Sequence, residues 1–106
     1  MTDIEQVQLL SFQIIAAVGN ARSLYLEAIS AAKAGDYDRA ESLLAEGEAS
    51  FLQGHNVHTS LVQKEADGDV AQMCLMIVHA EDQLMSAESF GILAREFLDV
   101  YRRLNK

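Results

Sequence analysis

A chain of 106 residues, 50% hydrophobic and 23% charged, has room for one core, and we read residues 1–106 as one globular domain rather than a disordered or fibrous chain. Sixteen acidic against eight basic residues leave a formal charge of −8, which repels phosphate backbones and anionic lipid surfaces and argues against nucleic acid or membrane as a direct partner. The single cysteine, Cys74, excludes an internal disulfide and a zinc cluster; among apolar neighbours it reads as a buried core thiol rather than a nucleophile.

The N-terminal MTDIEQVQ lacks the basic-then-apolar order of a secretory signal, and no stretch reads as a transmembrane span, so a cytoplasmic location is expected. With no proline and only six glycines, the chain reads as helix almost throughout. The first helix opens at TDIE, a capping box in which Thr2 caps and Glu5 reaches back. It ends in KAGDYD, where Gly35 terminates it and Asp36 starts the second helix. EADGDV repeats the pattern with Gly68 and Asp69, which places the start of the third helix at Asp69. Three segments of about 30 residues, each about 45 Å long, joined by short connections, predict an all-α fold, an antiparallel three-helix bundle.

Each helix carries an apolar seam at alternating three- and four-residue spacing. The first runs from Ile4 and Val7 through Ile14, Val18 and Tyr25 to Ala32; the second from Ala40 through Gly47, Phe51, Gly54 and His58 to Leu61; the third from Met73 and Ile77 through Leu84 and Gly91 to Leu98 and Tyr101. The third helix then offers a second seam through Met76, His79, Gln83, Ser86, Phe90, Leu93, Phe97, Val100 and Leu104, turned about 100° from the first. One small core does not bury both faces, so the second is read as an oligomer interface. The competing explanation is a monomer in which the third helix is the most central.

The polar members of that second seam cluster. His79 and Asp82 are three residues apart and His79 and Gln83 four apart, on adjoining parts of one strip. Glu81 falls instead on a stripe with Glu88, Arg95 and Arg102, which reads as a solvated face. A histidine on an apolar seam is commonly a core or interface residue with one hydrogen bond. Its functional alternative is a nucleophile, because a neutral imidazole nitrogen accepts and returns a phosphoryl group through a labile P–N bond. No glycine loop that could hold ATP is present, so donor and acceptor would both be proteins. Asp82 beside an apolar seam needs compensation; copies converging on a symmetry axis would repel or recruit a divalent cation with oxygen ligands.

VHAEDQLMSA, together with GNARSL, AKAGDYDRA and GHNVHTSLVQKEADGD, resembles the enzyme IIA component of the lactose/cellobiose/chitobiose class of the bacterial phosphoenolpyruvate-dependent sugar phosphotransferase system. The resemblance extends over nearly the whole chain. It implies a homotrimer of three-helix bundles in which His79 takes a phosphoryl group from the phosphocarrier protein HPr and gives it to a cysteine of the IIB component. It also implies that Asp82 meets its symmetry mates around one metal ion per trimer, expected to be Mg²⁺, and that the membrane is engaged only indirectly, through the permease component. Glu81 stands where relatives commonly have Gln, Gln83 where they often have His, and His58 where they carry Gln. His58 reads as a variable interface residue and His55 as a surface or helix-bend position. AKAGDYDRA also resembles half of a tetratricopeptide unit, but one copy makes no repeat protein. The alternative to a phosphocarrier is a non-catalytic adaptor bundle that binds helices on the second seam; a metalloenzyme lacks a second ligand at suitable spacing from His79.

Overall fold

The computed structural model describes residue 1 and residues 3–106. The described residues form α1 (Asp3–Lys33), α2 (Tyr37–Ala66) and α3 (Leu75–Leu104), with no strand among them. The Thr2 half of the expected capping box lies outside the described residues. Laid side by side, the helices make a rod of 55 × 21 × 18 Å. Its centre is α1, which packs extensively on both neighbours, whereas α2 and α3 meet along a sparser line. The most central helix is therefore the first and not the third. By length and composition α1 could cross a membrane, which corrects the expectation that no stretch would pass that test. In the bundle its apolar stripe from Val7 through Ile14, Val18 and Tyr25 to Ala32 is the core itself.

The first turn forms as its residues dictate. Gly35, at φ +84°, closes α1 while the Asp36 amide donates to the Ala31 carbonyl at 2.9 Å; the Asp36 carboxylate then accepts from the Arg39 amide at 3.2 Å and caps α2. The second turn starts alike and ends differently. Gly68, at φ +93°, closes α2 and the Asp69 amide donates to the Lys64 carbonyl at 2.9 Å. The Asp69 side chain, however, lies 3.7 Å from the Lys64 ammonium and caps nothing. The chain runs without helix to Cys74 before α3 begins at Leu75, so the expected start at Asp69 is wrong by six residues. Met73, assigned to the core seam, precedes the helix and is exposed; Ala71 and Cys74 pack against the core instead. Cys74 is half-buried rather than fully buried.

Polar atoms inside the bundle are matched. The Ser11 hydroxyl donates to the Val7 carbonyl at 2.7 Å, and the Ser50 hydroxyl donates to the Ala17 carbonyl at 2.8 Å while accepting from Asn20 at 3.0 Å. Tyr25, 3% exposed, lies between two glycines. A Cβ on Gly47 of α2 would stand 2.5 Å from one edge of the ring, and one on Gly91 of α3 would stand 2.9 Å from the other. Burial first, and the Glu48 carboxylate second, raise the pKa of this phenol, with Arg95 opposing.

The clamp makes Gly47→Ala a decisive test of the packing. Alanine gains up to about 1 kcal/mol of helix propensity, but overpacking costs about 1–3 kcal/mol, and a ring held from both sides has nowhere to move. We expect a net loss of roughly 1–2 kcal/mol, read as a lower urea midpoint. A variant as stable as the parent would show that Tyr25 is not clamped.

Candidate functional site on the third helix

α3 is preceded by an extended residue, Cys74 (φ −151°, ψ 166°), and has no side-chain cap and no acidic residue in its first turn. The first amides of that turn lack intrahelical acceptors, and no carboxylate within the turn offsets the positive end of the helix dipole. His79 is the fifth residue of α3. Helical side chains lean toward the N-terminus, which directs its ring toward this turn.

His79 is exposed, and so is Asp82; Met76, Gln83 and Ser86 around them are half-buried. Among the described residues neither His79 nor Asp82 makes a side-chain hydrogen bond or an ion pair within the chain. Structure and sequence thus agree that the two share one strip of α3, and that strip continues into the apolar face of Leu93, Phe97, Val100 and Leu104, all exposed. The core seam behaves as expected from Ile77 onward, with Ile77, Ala80, Leu84, Ala87, Ala94 and Leu98 buried. Phe90 of the second seam packs partly against the core, whereas Leu93, Phe97, Val100 and Leu104 stay exposed in the single chain.

Glu81 departs from its expected place on a solvated face. Its Oε1 accepts a hydrogen bond from Nε2 of His58 on α2. Further along the same stripe Arg95 pairs with Glu41 and Glu48, and Arg102 with Glu41 at 3.3 Å. The bond to Glu48 is the main reason that Arg95 holds its proton more tightly than usual. The stripe is therefore a polar edge along which α3 faces α2. His58, assigned to the second helix's core seam, is half-buried at this edge, while His55 is exposed and its ring tilts against Phe51 at 6.0 Å with α2 unbroken through it.

The sequence reading also missed a third apolar stripe on α3. Val78, Met85 and Ile92 are seven residues apart and 55%, 64% and 61% exposed; that spacing keeps them on one side of the helix. Val78 and Ile92 line the shallow cavities between α2 and α3. The seven-residue spacing was the available signal.

Residues 9–102 match the family described as PTS system, lactose/cellobiose specific IIA subunit. The chain belongs to this family. Its relatives include the lactose-specific EIIA component of Staphylococcus aureus, 41% identical over 93% of this chain and 96% of the relative. The oligo-beta-mannoside-specific EIIA component of Bacillus subtilis is 38% identical over 91% of this chain and 87% of its own length. Among solved structures, the cellobiose-specific enzyme IIA of Bacillus anthracis superposes with a TM-score of 0.90 at 36% identity, covering 99% of this chain and 94% of that one. As a member of the IIA family, the chain is a component of a phosphotransferase system acting in sugar uptake. His79, Asp82 and the whole of α3 except its last two residues fall inside the matched span.

Proposed function

We propose that this IIA protein is a cytoplasmic phosphocarrier in which His79 accepts a phosphoryl group from phospho-HPr and passes it to a cysteine of the IIB component, during uptake of a β-linked disaccharide such as lactose or cellobiose. The observation that carries this reading is the environment of His79: an exposed imidazole without an intrachain partner, one turn inside an uncapped helix start. A lone pair on one ring nitrogen forms the new N–P bond as the donor's N–P bond breaks. The donor ring keeps that bond's electron pair, and the proton that His79 loses ends on the donor. On the outward step the P–N bond breaks, a thiolate sulfur takes the phosphoryl group, and His79 regains a proton. Catalysis is then chiefly positioning, with the partner proteins supplying the in-line geometry, and the positive end of α3 favours the arriving negative charge.

The exposed run of the second seam, Leu93, Phe97, Val100 and Leu104, supports a homotrimer built on α3, with residues 1–106 acting as one domain. Asp82 fits a cation only as symmetric copies. Among the described residues no single chain gathers three His, Cys, Asp or Glu side chains able to hold a metal, whereas three carboxylates meeting on an axis supply the oxygen ligands that Mg²⁺ takes. The ion would offset their mutual repulsion. Asp82→Leu is accordingly expected to lose bound Mg²⁺ while remaining trimeric with or without chelator. If that variant dissociates while the parent binds no metal and ignores chelator, Asp82 is not axial.

The test of the carrier function is transfer in both directions. Incubation with phosphoenolpyruvate, enzyme I and HPr should add one phosphoryl group per chain, stable in alkali and lost in acid. Adding IIB should then discharge it. A protein that neither accepts nor releases phosphate would leave the adaptor reading, in which the apolar face of α3 only binds partner helices.

A further inference from the structure

We propose that His58 is a positioning residue for phosphoryl transfer at His79, acting through Glu81. This inference rests on the phosphocarrier reading above. His79 and Glu81 are two residues apart on α3, about 200° around the helix, so the ring faces outward while the carboxylate turns toward α2 and accepts the His58 Nε2 hydrogen bond.

What makes this bond matter is that, among the described residues, no other side-chain bond joins that end of α3 to another helix. α3 starts at Leu75, and Cys74 before it gives no side-chain cap; the contact of α3 with α2 is the sparsest in the bundle. The far end of α3 is held by several polar links: Arg95 to Glu41 and Glu48, Arg102 to Glu41, and the Tyr37 hydroxyl to the Tyr101 carbonyl at 3.3 Å. Among the described residues, the first two turns of α3 have one side-chain bond to another helix, and it is Glu81 to His58. Ile77 and Ala80 pack the start of α3 into the core against Leu61, but outside that packing lies a cavity of about 100 Å³ between the helices, lined in part by Glu81, Val62 and Val78, and on this outer side the bond is the link to α2. His58 is also the better-sheltered partner, its side chain 20% exposed against 47% for Glu81. It is the fixed post, and Glu81 is the tether that holds the helix start, and with it the His79 ring, in one register against α2.

Loosening that tether leaves the chemistry at His79 unchanged but lets the nucleophile sample more orientations. Transfer from a phosphorylated donor protein should slow roughly three- to tenfold at saturating donor, with little change in the donor concentration at half-saturation. The experiment follows phosphoryl transfer from phospho-HPr to the full chain under single-turnover conditions, for the parent, His58→Leu, Glu81→Leu, the double variant and His58→Gln. His58→Leu and Glu81→Leu should each slow transfer by a similar factor and the double variant by no more than either, because both remove the same bond. His58→Gln keeps an N–H donor and should restore most of the parent rate.

Transfer by His58→Leu at the parent rate would overturn the proposal. So would losses that multiply in the double variant, or a His58→Gln variant as slow as His58→Leu. A parent chain that takes no phosphoryl group on His79 is a different result, which contradicts the phosphocarrier reading itself.

Discussion

The double variant Leu93→Glu, Phe97→Glu is expected to sediment as a monomer at the 11.7 kDa chain mass, and the unaltered chain is expected to sediment at three times that mass. In the isolated chain Leu93, Phe97, Val100 and Leu104 are 52%, 44%, 46% and 72% exposed. They lie on one strip of a helix whose other face is already buried. Covering a half-exposed side chain of this size contributes about 1 kcal/mol at roughly 25 cal/mol per Å², and the strip repeats in every copy. A carboxylate placed in such a contact without a partner costs several times more than the apolar group contributed. Both changes lie at exposed positions, so helix content should stay near that of the parent. An unaltered chain that sediments as a monomer at micromolar concentration would remove the trimer, and with it the axial position of Asp82.

His79→Ala is expected to abolish phosphoryl acceptance altogether. Alanine is the better helix former, and His79 is exposed with no intrachain bond to lose, so helix content and assembly mass should not change. The loss would therefore be chemical rather than structural. His55→Ala and His58→Ala should still take the phosphoryl group on His79, the second more slowly. Cys74 is half-buried at the start of α3 and should carry no phosphate in any variant. Acceptance that survives in His79→Ala would reassign the site.

Much of this was legible in the sequence because helix periodicity reports which residues share a face. The first seam, with Val7, Ile14, Val18 and Tyr25 buried, and the placing of His79, Asp82 and Gln83 on one strip of α3 both follow from spacing alone. Periodicity does not report what a face meets. Glu81 reads as solvated until the register of α2 against α3 brings His58 to it, a contact between residues 23 apart in sequence.

The start of α3 was misread for a local reason. In KAGDYD the aspartate after the glycine both closes one helix and caps the next, whereas in EADGDV the same residue closes α2 and leaves its side chain with Lys64. Glycine-aspartate thus marks the end of a helix reliably. It marks the next start only when the chain turns back at once, and here the path to α3 first lays Ala71 and Cys74 against the core.

The most direct test of the central claim is to locate the phosphoryl group. The unaltered chain, charged from phosphoenolpyruvate through enzyme I and HPr, is digested under alkaline conditions and its peptides are sequenced by mass spectrometry. One phosphoryl group per chain, on His79, is the result the phosphocarrier account predicts. A phosphoryl group on His55, His58 or Cys74, or none on any residue, would contradict it.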